Sequence, residues 1–283
     1  MRVEVRCYDE LNDLLAPSRR GGELTVEVAV GTTVKDLVES LGVPHTEIDV
    51  ILVNGESVEF TRQVSDGDRV SVYPVFEALD VTPITRLRPA PLRQPRFVLD
   101  VHLGRLARYL RLLGFDTLWS NDTSDEQLVA LSLGEGRILL TRDRGLLKRR
   151  AVTHGYLVRG TSRRAQIVEV LRRFDLFGAI DAFSRCLVCN GLLERMAKSE
   201  VDPLLPPRTR RDYQEFWRCP DCGRVYWPGS HFDRLSAVVD DLRRQGQDPA
   251  SMRRDSPCQP ATRSKPNTTS RRSGTTRSRP SRP

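Results

Sequence analysis

The sequence predicts a multi-domain protein: a small α+β domain, an α/β domain built on a mainly parallel sheet, a compact cysteine module and a disordered basic C-terminal tail. Three observations carry this. Apolar–polar alternation at period two marks the first 80 residues. From residue 96, short apolar runs alternate with amphipathic stretches, as in parallel strands joined by right-handed crossovers. Four of the six cysteines fall within residues 181–235, and residues 245–283 hold Ser, Thr, Pro and Arg with almost no apolar side chains.

In the first 80 residues, Met1–Tyr8 and Glu23–Val30 read as strands, with Asp9–Leu15 a short helix between them. Thr33 and Asp36 form a capping box ahead of Val34, Leu37, Val38 and Leu41, and Gly42 closes that helix. Val50–Val53 is a strand ending at the Asn54-Gly55 hairpin turn, and Arg69–Tyr73 is the last strand. Prolines at 83, 89, 91 and 95 make residues 81–95 an extended linker.

Residues 96–180 form the α/β domain. Arg96–Asp100, Thr117–Trp119, Arg137–Thr141 and Tyr156–Val158 read as its strands. Val101–Leu113 reads as one helix with Leu103, Leu106, Ala107, Leu110 and Leu113 in a stripe and Arg105, Arg108 and Arg111 off it. Ser124 and Gln127 form a second capping box, and Ser162 caps a helix carrying Ile167, Val168, Val170 and Leu171. Residues 181–235 are the cysteine module, and 236–283 read as a short helix followed by the disordered tail.

The composition, 39% hydrophobic and 29% charged, suits a globular chain, and no run of about 18 apolar residues exists to span a membrane. The chain opens directly on a strand-like segment, so no secretory leader is expected and the expected location is cytoplasmic. The net charge of +8 is unevenly placed. Residues 1–80 carry −9, residues 81–180 carry +9, residues 181–250 are neutral and residues 251–283 carry +8. Arg outnumbers Lys by 41 to 4, the signature of a GC-rich, bacterial genome, so Arg is the default surface cation. Such contrast implies modules with different partners, and it permits the acidic block to dock on the basic one.

Chemistry concentrates at one sheet edge. In an open parallel sheet, ligands bind beyond the C-terminal strand ends. Asp100, Asp122, Asp125 and Asp143 all follow strands there. Clustered carboxylates can hold Mg²⁺ or Mn²⁺ and activate water for displacement at phosphorus. An Asp at a helix start also serves as an N-cap, and that reading stands beside the first for Asp100, Asp122 and Asp125. Arg105, Arg108, Arg142, Arg144 and Lys148 surround the acids and suit a polyanion such as RNA. A solvated Arg-rich face is the alternative.

Cys186-x-x-Cys189 and Cys219-x-x-Cys222 supply four soft ligands, the requirement of a closed, structural Zn²⁺ site. A redox role for either pair is the rival reading. The 29 residues between the pairs, with Asp202-Pro203 and Pro206-Pro207, read as a looped insertion. Cys7 is expected in the core and Cys258 in the tail.

These features together resemble a known family. Phe97–Asp100, Leu103–Arg111, Leu113–Asp116, Asp125-Glu126, Ile138–Asp143 and both cysteine pairs are similar to the Mut-seven C-terminal RNase domains, a PIN-like nuclease core joined to a zinc ribbon. Residues 1–78 resemble the ubiquitin-like, sulfur-carrier-like β-grasp domain that precedes that module. The resemblance implies a metal-dependent ribonuclease. By motif position Asp100 and Asp143 would hold the ion, with Asp125 the third catalytic acid and Asp122, Glu126 and Asp116 further candidates. Gly145 stands where the PIN pattern usually shows another acid, and the last β-grasp strand runs into Pro74-Val75-Phe76 with no terminal Gly-Gly, so no thiocarboxylate is expected. Instead the β-grasp domain is expected to serve an intramolecular or protein partner. A non-catalytic RNA- or ribosome-binding protein is the alternative function.

Overall fold

The computed structural model describes residues 1–76, 84–87 and 95–247. Most of the linker expected over 81–95, the tail beyond 247 and Cys258 lie outside the described residues.

The first domain comprises β1 (Arg2–Cys7), β2 (Leu24–Glu27), α1 (Val34–Ser40), β3 (Ile48–Val53), β4 (Glu56–Ser57) and β5 (Arg69–Pro74). Its sheet runs β2-β1-β5-β3-β4, with β1 and β5 parallel and the other pairs antiparallel. This is the ubiquitin-like β-grasp arrangement. The Thr33–Asp36 capping box forms as the sequence indicates, and Val34, Leu37 and Val38 turn inward. Asn54 (φ 53°) and Gly55 (φ 89°) both take positive φ, the requirement of a type I′ hairpin. Cys7 is buried, as expected.

The second domain comprises β6 (Phe97–Leu99), α2 (Gly104–Leu112), β7 (Thr117–Leu118), α3 (Asp125–Glu135), β8 (Ile138–Thr141), α4 (Arg144–Lys148), β9 (Gly155–Leu157) and α5 (Arg163–Arg173). The order β7-β6-β8-β9 is wholly parallel. The helix expected over 101–113 is two pieces. Asp100 accepts from the His102 amide and starts a 3₁₀ turn at Val101–Leu103, after which α2 begins. Val98 and Leu139 alternate with Phe97, Leu99, Ile138 and Leu140, so the two sets point to opposite faces.

A parallel sheet needs both faces covered. One face is covered by α2, α5 and the terminal helix, through Leu106, Leu110, Ile167, Leu171, Val239 and Leu242. The other carries α3 and the five-residue α4, too little to cover it, and its core runs without a break into Val34, Leu37, Val43 and Ile48 of the first domain. The acidic and basic blocks thus share one hydrophobic core.

The third region comprises β10 (Glu194–Met196), α6 (Lys198–Val201), α7 (Pro207–Asp212), β11 (Phe216–Arg218) and β12 (Val225–Tyr226), followed by α8 (Phe232–Gln247). The stretch between the cysteine pairs is therefore not a loop. Pro203 and Pro207 sit in first helical turns, where a missing N–H is harmless, and Val201, Leu205 and Phe216 bury a small core. The helix expected from 236 starts at Phe232 and packs back on the α/β domain. Among the described residues no helix is long and apolar enough to cross a membrane.

Candidate functional site

Asp100 and Asp143 follow the neighbouring parallel strands β6 and β8, which places them at one edge of the sheet. Asp100 is 5% exposed and accepts from the His102 amide at 2.7 Å, the Arg142 amide at 3.2 Å and the Thr141 hydroxyl. Three donors from two strand ends hold its carboxylate in one orientation. Asp143 is exposed, and its Oδ1 caps α4 through the Gly145 amide at 2.7 Å. Asp125 and Glu126, in the first turn of α3, are both paired with Arg149, at 3.1 and 3.0 Å. Asp122 is exposed and accepts from Ser120. Asp100 and Asp143 thus both act as N-caps, whereas Ser124, not Asp122 or Asp125, caps α3, and Asp125 and Glu126 already have a cation.

Asp116 is elsewhere. It precedes β7 and so lies at the opposite edge, where Arg137 donates to it at 2.7 Å and Asn190 at 2.8 Å. Burial opposes its ionisation, yet these donors together hold its carboxyl below the usual carboxylate range. Asp116 is part of a structural clasp.

The structure sorts the cations of the basic block. Arg105, Arg108 and Arg142 are exposed, and no carboxylate or carbonyl partner of their guanidinium groups is found among the described residues. Arg144 donates to Leu14 O at 3.1 Å and Lys148 to Glu39 O at 2.6 Å, both in the β-grasp domain. Arg111, expected off the apolar stripe, is 2% exposed and donates to the carbonyls of Thr117, Leu187 and Val188. Three-residue spacing falls short of the 3.6-residue turn, so Arg105, Arg108 and Arg111 drift by about 60° per step and the third reaches the buried flank. That drift was the one available signal for Arg111.

The four cysteines come together: Cys186, Cys189, Cys219 and Cys222 place their Sγ atoms within 4.8 Å of one another, an arrangement that could hold a metal ion such as zinc. The Cys186–Cys222 and Cys189–Cys219 separations are 3.6 and 3.3 Å, close to the roughly 3.8 Å between sulfurs on a tetrahedral zinc. Burial raises the Cys186 thiol, but the backbone N–H groups of Cys189 and Val188 and the Tyr226 hydroxyl outweigh it and bring it down to about 6. Tyr226 thus supports the cluster, with its oxygen 3.1 Å from Cys186 Sγ. Among the described residues the cysteines are the one group of three or more His, Cys, Asp or Glu side chains so gathered. Asn190, whose role sequence reading missed, accepts from Thr117 N at 2.9 Å and clamps this module to the edge opposite Asp100.

The β-grasp domain also places Glu47 wholly inside the domain contact. Its Oε1 accepts the Leu157 amide at 2.6 Å, and its Oε2 lies 3.7 Å from Arg159. His45 bridges Glu39 at 2.7 Å and the Val152 carbonyl at 2.8 Å. Neither residue carried a signal in the sequence.

Two family models match the chain in the order of its domains. The Mut7-C RNAse domain matches residues 95–239, and the Mut7-C ubiquitin domain matches residues 1–80. Two crystal structures of small archaeal modifier protein 1 from Haloferax volcanii are similar to the chain. One is 20% identical, covers 26% of this chain and 98% of its own, and has a TM-score of 0.22. The other is 18% identical, covers 28% and 100%, and has a TM-score of 0.23. No curated protein matches the chain. With just over half its length matched by the RNAse domain and the ubiquitin-like domain ahead of it, the chain belongs to the Mut7-C RNAse domain family.

Proposed function

We propose that the chain is a metal-dependent ribonuclease of PIN-like type, working in the reducing cytoplasm, with RNA phosphodiester as substrate. The observation that carries this reading is the pairing of Asp100 and Asp143 at the C-terminal ends of adjacent parallel strands, within a family described by its RNAse domain. The donor set suits one hard cation that keeps several waters: two carboxylates, with Asp143 Oδ2 outside the cap hydrogen bond. Mg²⁺ or Mn²⁺ held between them would supply a Lewis acid that activates water and offsets charge on the scissile phosphate.

The chain's own residues do the rest. Thr141, His102 N and Arg142 N fix the Asp100 carboxylate, so the ligand is aligned before substrate arrives. Arg142, unpaired beside both acids, binds a phosphate oxygen and holds the strand in line. Asp125 and Glu126 act through Arg149 and position the α3 start. The four cysteines hold Zn²⁺ as a structural clamp, since a four-thiolate shell leaves no open position.

The test is cleavage of a labelled RNA by wild type, Asp100→Asn and Asp143→Asn, with and without Mg²⁺ or Mn²⁺, alongside thermal melts to establish folding. Loss of metal-dependent cleavage in folded variants is expected. Equal cleavage by all three removes the assignment. The cap roles of both acids favour one rival, a non-catalytic RNA-binding protein, which predicts salt-sensitive binding and no cleavage by wild type.

A further inference from the structure

The fold divides the basic block into two unequal halves. On one side, Arg144 and Lys148 reach carbonyls of the β-grasp domain, Arg159 faces Asp13 and Glu47, and Arg173 faces Glu10. Docking of the first domain has taken that side. On the other side, α2 keeps Arg105 and Arg108 exposed with no partner among the described residues.

Helical spacing puts Arg105, Arg108 and Tyr109 on one face of α2, at i, i+3 and i+4. Arg163, in the first turn of α5, donates to the Tyr109 hydroxyl at 3.1 Å, and its guanidinium lies 5.5 Å from the ring centroid. Both helices start at the acid edge, α2 four residues after Asp100 and α5 just beyond β9. An aromatic ring beneath a guanidinium, flanked by free arginines, is the combination that binds single strands: cations follow the backbone and a base stacks on the π-surface. A duplex hides its base faces and gains only the phosphate contacts.

We propose that Arg105, Arg108, Tyr109 and Arg163 form a binding lane that delivers single-stranded RNA to the Asp100 edge. The direction of delivery rests on the ribonuclease reading; the binding does not.

The experiment measures fluorescence anisotropy of a labelled single-stranded oligoribonucleotide with the zinc-loaded full chain, without added Mg²⁺ or Mn²⁺, across a salt series. The Arg105→Gln/Arg108→Gln double variant should weaken binding and reduce the slope of log K against log salt by about 1.4, two phosphate contacts on a single strand. Tyr109→Leu should weaken it about 5- to 150-fold, and Tyr109→Phe, which keeps the ring, should retain most of the affinity. Arg234→Gln on α8 should bind as wild type. Variants that remain folded yet bind like wild type overturn the lane, even if cleavage persists. Equal affinity for a duplex of the same length, or binding of polyglutamate in place of RNA, also overturns it. Variant-sensitive binding without cleavage by wild type in Mg²⁺ or Mn²⁺ leaves the lane standing and removes the ribonuclease reading instead.

Discussion

Glu47→Ala strips the acceptor from the Leu157 amide and one of the two carboxylates that face Arg159, inside the contact between the β-grasp and RNAse domains. An orphaned buried N–H costs about 1–3 kcal/mol. Arg159 is about a quarter exposed and keeps Asp13 at 3.7 Å, so losing Glu47 adds little to that cost. For a cooperative unit of this size the melting temperature should fall by roughly 2–12 °C. Glu47→Gln behaves differently, because it keeps the oxygen that accepts from Leu157. Burial raises the Glu47 carboxyl above its ordinary range, and Arg173 and Arg159 offset this only in part. A folded pKa above the unfolded value adds stability below the ordinary 4.5, and that stability is lost as pH rises through the folded value. The difference between wild type and Glu47→Gln should therefore shift toward the glutamine variant with rising pH. Melting curves of the three full chains from acid to neutral pH, with hydrogen exchange at the Leu157 amide, read both effects. A Glu47→Ala chain that melts like wild type, or a wild type with two separate transitions, refutes the shared core.

Gly114→Ala should be among the costliest single changes. Gly114 has φ 95°, and an added Cβ would lie 2.3 Å from the Asp181 carbonyl oxygen, so about 2–5 kcal/mol of backbone strain and crowding is expected. An unchanged denaturation midpoint would contradict that close approach. Chelating zinc from a chain loaded with it, which the four cysteines would hold, should speed exchange at the Thr117 amide, held by Asn190, while the Arg142 amide at the other edge stays protected; equal loss at both edges would place the clamp wrongly. Arg111→Met should lower metal affinity about 10- to 100-fold, since the guanidinium both faces the Cys186 and Cys189 thiols and fixes the knuckle carbonyls. Zinc titration of the variant decides it, and wild-type affinity would refute the role.

Much of the architecture was legible in the residues because it depends on local rules. The Thr33–Asp36 and Ser124–Gln127 boxes, the Asn54-Gly55 turn and the apolar strands are fixed within a few positions of themselves. The cysteine spacing works likewise, because each CxxC turn presents its two thiols with little help from the rest of the chain. Local reading failed where distant segments decide. Prolines 203, 206 and 207 suggested a loop, but burial of Val201, Leu205 and Phe216 stabilises the short helices around them.

By itself, then, the sequence determined the modules, the cysteine pairs that cluster and the strand ends that carry Asp100 and Asp143. Only the tertiary structure decided the fate of each charge. Arg111 and Arg137 became buried clasps, Arg144 and Lys148 turned to the β-grasp domain, and Arg105 and Arg108 stayed free. The physical reason is that identical guanidinium groups differ only in what packs against them, and the two-sided parallel sheet sets that packing by recruiting the β-grasp domain to cover its second face.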